Sequence, residues 1–121
     1  MTSRATDLDK SLQELETDYW RRPTLPASHL ITECHRLRKV PLRDLTVGNL
    51  RIMIGQEIGL DYLMPLALTE LEKDPMVEGD LYPGDLLGYV KGRDKYFRIR
   101  PELKSRLDKV VARLPKPEKH Q

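Results

Sequence analysis

A chain of 121 residues, 39% hydrophobic and 33% charged, with a formal net charge of +2, suits one domain with one core and is too short for two. So small a net charge is no ground for a nucleic-acid partner, because affinity for phosphate needs clustered cations, and the single cysteine, Cys34, excludes an internal disulfide and fits a reducing compartment. The opening MTSRATDLDKSLQELE lacks a basic start followed by an apolar run, and no segment approaches the roughly 20 apolar residues of a membrane span, so a soluble, cytoplasmic protein is expected.

In chain order, residues 1–6 are polar and expected to be disordered, the folded domain is expected over 7–114, and 115–121 reads as a polar tail. Leu8, Leu12 and Leu15 fall at helical spacing and predict a short amphipathic helix ending near Trp20, where Pro23 and Pro26 break the pattern. Ser28 is placed to cap a second helix, SHLITECHRLRK, with Leu30, Cys34 and Leu37 inward and Glu33, Arg36 and Lys39 outward. Pro41 ends it. Thr46 caps a third helix, central by its Leu50, Ile54 and Ile58 row, and Gly59 is the expected left-handed stop.

A fourth helix follows Asp61, with Pro65 in its first turn, Leu68 and Leu71 on its buried face, and Asp74-Pro75 as its end. MVEGDLYPGD is turn-rich, after which Asp85, Leu86 and Leu87 open another short helix. Gly88 and Gly92 bracket a connection; KYFRIR alternates like a strand, but a lone strand has no partner, so irregular or helical structure is expected. The last helix runs from Pro101 to Leu114, with Leu103, Leu107, Val110, Val111 and Leu114 on one side. The fold class is all-α: a compact single-domain bundle of five or six helices.

The small total charge hides segregation: residues 1–20, 21–46, 47–90 and 91–121 carry net −3, +4, −6 and +7. Against this background no catalytic constellation stands out. Cys34 and His35 are helix neighbours about 100° apart and poorly placed to share a proton. His29 with Glu33 supplies two metal ligands and no third, and His120 adds nothing. GQEIG lacks the strand and lysine of a phosphate cradle, so Gly55 is read as a place of close helix approach. The acidic run Glu70, Glu72, Asp74, Glu78, Asp80 and Asp85 lacks calcium-loop spacing and suits either a solvated surface or a docking face for a basic partner. Arg36, Arg38, Lys39, Arg43 and the set from Lys91 to Arg113, with Tyr96 and Phe97 among them, could contact phosphates, although the acidic end of the fourth helix argues against a helix-turn-helix.

The order and spacing of CHRLRK, the IGQEIGLDYLMPLAL block and EGDLYPGDLL, across residues 12 to 90, resemble an immunity-protein family of bacterial contact-dependent growth inhibition systems. That resemblance implies a cytoplasmic, non-enzymatic inhibitor of the toxin domain at the C-terminus of a large exported effector, often a nuclease. No cofactor, metal, membrane or direct nucleic-acid partner is expected. On this reading a nuclease's basic cleft meets Glu70, Glu72, Asp74, Glu78, Asp80 and Asp85, with Tyr82 as an aromatic anchor. The alternative is a small helical nucleic-acid-binding regulator that uses the basic C-terminal segment.

Overall fold

The computed structural model describes residues 7–21 and 28–115, so the expectations for residues 1–6, Pro23, Pro26, His120 and the tail from 116 lie outside the described residues. Among the described residues the chain forms seven α-helices: α1 (Leu12–Glu16), α2 (His29–Leu37), α3 (Val47–Gly55), α4 (Leu60–Lys73), α5 (Asp85–Lys91), α6 (Asp94–Arg98) and α7 (Pro101–Ala112). A 3-10 turn spans Leu42–Asp44, and two isolated bridges, Ser11 with Pro41 and Glu78 with Pro83, are the only strand-like pairings among those residues. The all-α bundle agrees with the sequence expectation. Its extra helix is α6, within the stretch whose strand-like alternation had no partner.

Local chemistry sets most helix starts. Ser11 and Thr46 each form a reciprocal capping box, with Glu14 and Asn49, while the Ser28 hydroxyl accepts from the Ile31 amide at 3.1 Å. Several boundaries depart from expectation, among them the end of α7, which stops at Ala112 rather than Leu114. The first helix stops at Glu16 rather than near Trp20, because Thr17 turns left-handed at φ 51°. α3 stops at Gly55, where Ile58 N donates to Met53 O at 2.9 Å and Glu57 N to Ile54 O at 2.9 Å. That Schellman closure makes Glu57, left-handed at φ 58°, the residue that ends α3 and leaves Ile58 beyond the helix; Gly59 is left-handed as expected but is not the stop. Gly59, at φ 65°, begins α4 instead, and any side chain there would overlap Leu12. Pro65 is therefore the sixth residue of α4 rather than part of its first turn, and its missing amide leaves the Asp61 carbonyl without a helical donor.

The core runs through α4, whose Leu63, Met64, Ala67, Leu68 and Leu71 are fully buried. Leu50, Met53 and Ile54 of α3, Leu86, Leu87 and Val90 of α5, Phe97 of α6, and Leu107 and Val110 of α7 close around them. α3 packs on α2, α4 and α5, and α7 packs on α4 and α6. Gly55 is a point of close approach, as its sequence context predicts: a methyl group there would press on the Tyr89 ring. Of the predicted α2 stripe, Cys34 and Leu37 are buried, whereas Leu30 remains 41% exposed. Tyr96 ties α6 to α4, donating to Leu60 O at 3.2 Å and Asp61 Oδ1 at 3.1 Å, and burial, then this carboxylate, pushes its phenol up to about 12. Among the described residues no helix is long and apolar enough to cross a membrane.

Candidate functional site

Folding brings the segregated charges of the sequence together. Arg93 pairs with Glu57 at 2.9 Å, Arg100 with Asp61 at 3.0 Å, and Arg106 grips both oxygens of Glu72 at 2.8 Å, so the basic C-terminal segment neutralises much of the acidic one. The Arg106 hydrogen bonds hold the Glu72 carboxyl below its ordinary range, and Glu70 turns to Lys73 at 3.3 Å. Asp74, Glu78 and Asp80 take part in no salt bridge among the described residues. All three belong to the segment between α4 and α5.

That segment is built by its own backbone. Asp74 ends α4, and its Oδ1 accepts from the Met76 amide at 3.0 Å. The Gly84 amide donates to Met76 O at 3.0 Å and the Asp85 amide to Tyr82 O at 3.1 Å, closing a loop across the Glu78–Pro83 bridge. Asp85 lies beneath it with a side-chain exposure of 0%. Its Oδ1 accepts from Gly79 N at 2.6 Å and Leu86 N at 2.7 Å, its Oδ2 from Leu81 N at 3.1 Å, and the Arg51 Nε lies 3.5 Å away. Gly79 sits against Val47, and the Asp80 carboxylate occupies the space beside Gly48 at the start of α3, where a helix N-terminus favours negative charge. Asp80 holds φ 79°, a left-handed conformation that aspartate tolerates better than most residues.

Burial pushes the Asp85 carboxyl up, but amides of Gly79, Leu81, Leu86 and Tyr82 together outweigh burial and hold it below the ordinary aspartate range. A depressed folded-state pKa gives stability that is complete above the unfolded value, about 3.9, and lost as pH falls through the folded one. The Gly79 and Leu81 amide resonances are therefore expected to titrate together below about pH 3.9. Constant shifts throughout the acid limb, or a midpoint above the ordinary value, would show that the amides do not control this carboxyl.

The predicted site residues thus separate. Asp74, Glu78, Asp80 and Tyr82 converge on one exposed loop, with Tyr82 55% accessible. Glu70 is half-buried on the side of α4, Glu72 is drawn against α7, and Asp85 supports the loop from within, where it has no surface to offer a partner. Sequence reasoning missed Met76 and Leu81, which are 46% and 52% exposed beside Tyr82. The available signal was two large apolar residues in a Gly/Pro-rich turn with no periodic partner. Acidic side chains sharing a loop with exposed apolar and aromatic ones are suited to recognising a protein surface.

The other candidates are occupied structurally. Cys34 is buried and burial, then Glu33, raises its thiol pKa, while the His35 ring stands edge-on to Trp20 at 4.9 Å. No group of three metal-ligating side chains occurs among the described residues. Within the first basic set, Arg36 pairs with Glu33, Arg43 with Asp9, and Arg38 is 3% exposed between Glu16 and the Trp20 ring.

A family model described as CDI immunity proteins matches residues 14–107, from α1 into α7. No curated protein and no solved structure matches the chain.

Proposed function

The chain belongs to the family of CDI immunity proteins, and on that basis we propose that it acts in the cytoplasm by binding and neutralising the C-terminal toxin domain of its cognate exported effector. The mode is stoichiometric protein–protein binding, with no chemistry performed by the inhibitor. One observation supports the contact surface: Asp74, Glu78 and Asp80, free of salt bridges among the described residues, share one backbone-braced loop with exposed Met76, Leu81 and Tyr82. A nuclease is the toxin class this chemistry fits, because a cleft that binds phosphates is cationic and can be blocked by carboxylates. Glu70, on the side of α4, extends the acidic border.

Co-purification with the C-terminal domain of the large exported protein encoded upstream is the direct test, with a one-to-one complex expected. Failure to form a complex would overturn the proposal. Cys34→Ser and His35→Ala are expected to retain neutralising activity in a cell-survival assay, since neither side chain has chemistry to perform. A folded variant that still binds the toxin domain but no longer protects would require a catalytic role.

A nucleic-acid-binding function remains the second reading, because Lys91, Lys95, Arg98, Lys109 and Arg113 take part in no salt bridge among the described residues. Retention of RNA or DNA at about 0.15 M salt would favour it, since weak phosphate contacts fade steeply with ionic strength.

A further inference from the structure

We propose that Arg51 and Asp85 are positioning residues for toxin recognition: their buried ion pair holds residues 79–82 in the binding conformation before the toxin arrives. This role rests on the loop being the contact surface. Every anchor in the arrangement is a main-chain atom of the loop. Asp85 takes the amides of Gly79 and Leu81, and Arg51 Nε donates to the Gly79 carbonyl at 2.7 Å. The Arg51 guanidinium is itself held 5.6 Å from the Tyr89 ring centroid. The side chains of Leu81 and Tyr82 have no part in this bracing and are free to face a partner.

A buried ion pair contributes little net stability compared with apolar residues of the same shape, so its value here is geometric. Backbone order supplied in advance need not be supplied by the toxin on binding. If the braced conformation is only fractionally populated, apparent affinity falls by that fraction. The loss appears in association, because the bound toxin itself then holds the loop.

The test is stopped-flow binding of the upstream-encoded toxin domain to Asp85→Asn, Arg51→Met and the double variant. The double variant keeps the wild-type net charge and leaves no unpaired buried charge, so long-range attraction is preserved while the brace is gone. Its association is expected to slow by about tenfold or more with dissociation changed less than about twofold, as a smaller competent fraction dictates. Hydrogen exchange of the Gly79 and Leu81 amides should accelerate alongside. Leu107→Ala, a core truncation in α7, is the comparator for simple destabilisation and should leave association unchanged. Should the double variant not fold, Arg51→Lys, which cannot reproduce the planar Nε contact to Gly79, is expected to show the same association loss in smaller measure.

Wild-type association with rapidly exchanging Gly79 and Leu81 amides would overturn the positioning role and leave the loop as the contact. Leu81→Ser with Tyr82→Ser tests the loop itself, and faster dissociation is expected. Unchanged binding by that pair would overturn the contact surface and the positioning role together.

Discussion

Reversing Asp74, Glu78 and Asp80 to lysine is expected to slow association with the cognate toxin domain by about 10- to 1,000-fold at low salt. The three carboxylates form the part of the acidic segment that is not neutralised internally: Glu57, Asp61 and Glu72 face arginines of the C-terminal segment, Glu70 faces Lys73 and Asp85 faces Arg51. A cationic cleft approaching this face therefore meets these charges first, and reversal replaces attraction by repulsion. The wild-type rate should fall as salt rises, whereas the variant should show a flattened or inverted dependence. Because Asp80 is left-handed at φ 79°, the milder combination Asp74→Asn, Glu78→Gln and Asp80→Asn keeps a tolerant side chain there and should give an intermediate rate. Reversing exposed Lys95, Arg98 and Lys109 is expected to change the rate far less. Stopped-flow measurements on all three variants, after their helicity is matched, check the ordering. Loss of binding in the basic-segment variant with retention in the acidic-loop variant would place the toxin on the basic C-terminal segment instead.

Leu68→Ala is expected to reduce the unfolding free energy by about 2 to 5 kcal/mol, the cost of lost transfer energy plus a cavity that its neighbours fill incompletely. Leu68 is fully buried on α4, the helix that contacts α3, α5 and α7, so its truncation loosens several interfaces at once. Leu50, Ile54 and Leu71 are buried as well and belong to the same cluster. Their alanine variants should fall in the same range, with Leu50, 3% exposed, toward its lower end. Urea titration would read the loss as a lower midpoint with an unchanged slope. A midpoint near wild type for Leu68→Ala would mean that α4 is not the centre of the core.

The elements legible in the sequence were those fixed by local physics. Ser28 and Thr46 start helices because a hydroxyl three residues before an exposed amide can accept from it, and Leu50, Ile54, Leu68 and Leu71 mark the core by spacing alone. Gly59 is left-handed as glycine preference predicts, yet it starts α4 rather than stopping α3, because the Schellman closure was satisfied two residues earlier by Glu57 despite its left-handed cost. Charge was the larger difficulty. Glu57 and Arg93, Asp61 and Arg100, and Glu72 and Arg106 are 34 to 39 residues apart, so no local pattern announces that they neutralise one another. Asp85 looked like one more surface acid. Its burial follows from Gly79 and Gly84, which let the loop fold back so that the Gly79 and Leu81 amides point at a single carboxylate. The loop was visible as a cluster of acids and turn residues, but its exposed apolar side chains emerge only when Met76, Leu81 and Tyr82 are seen to enter no core.

Amide hydrogen exchange of this chain, alone and saturated with the upstream-encoded toxin domain, tests the recognition surface most directly. Slowed exchange concentrated in residues 74–84, with α7 unchanged, is the expected result. Protection confined to α6 and α7, with the 74–84 loop exchanging as in the free protein, would contradict it.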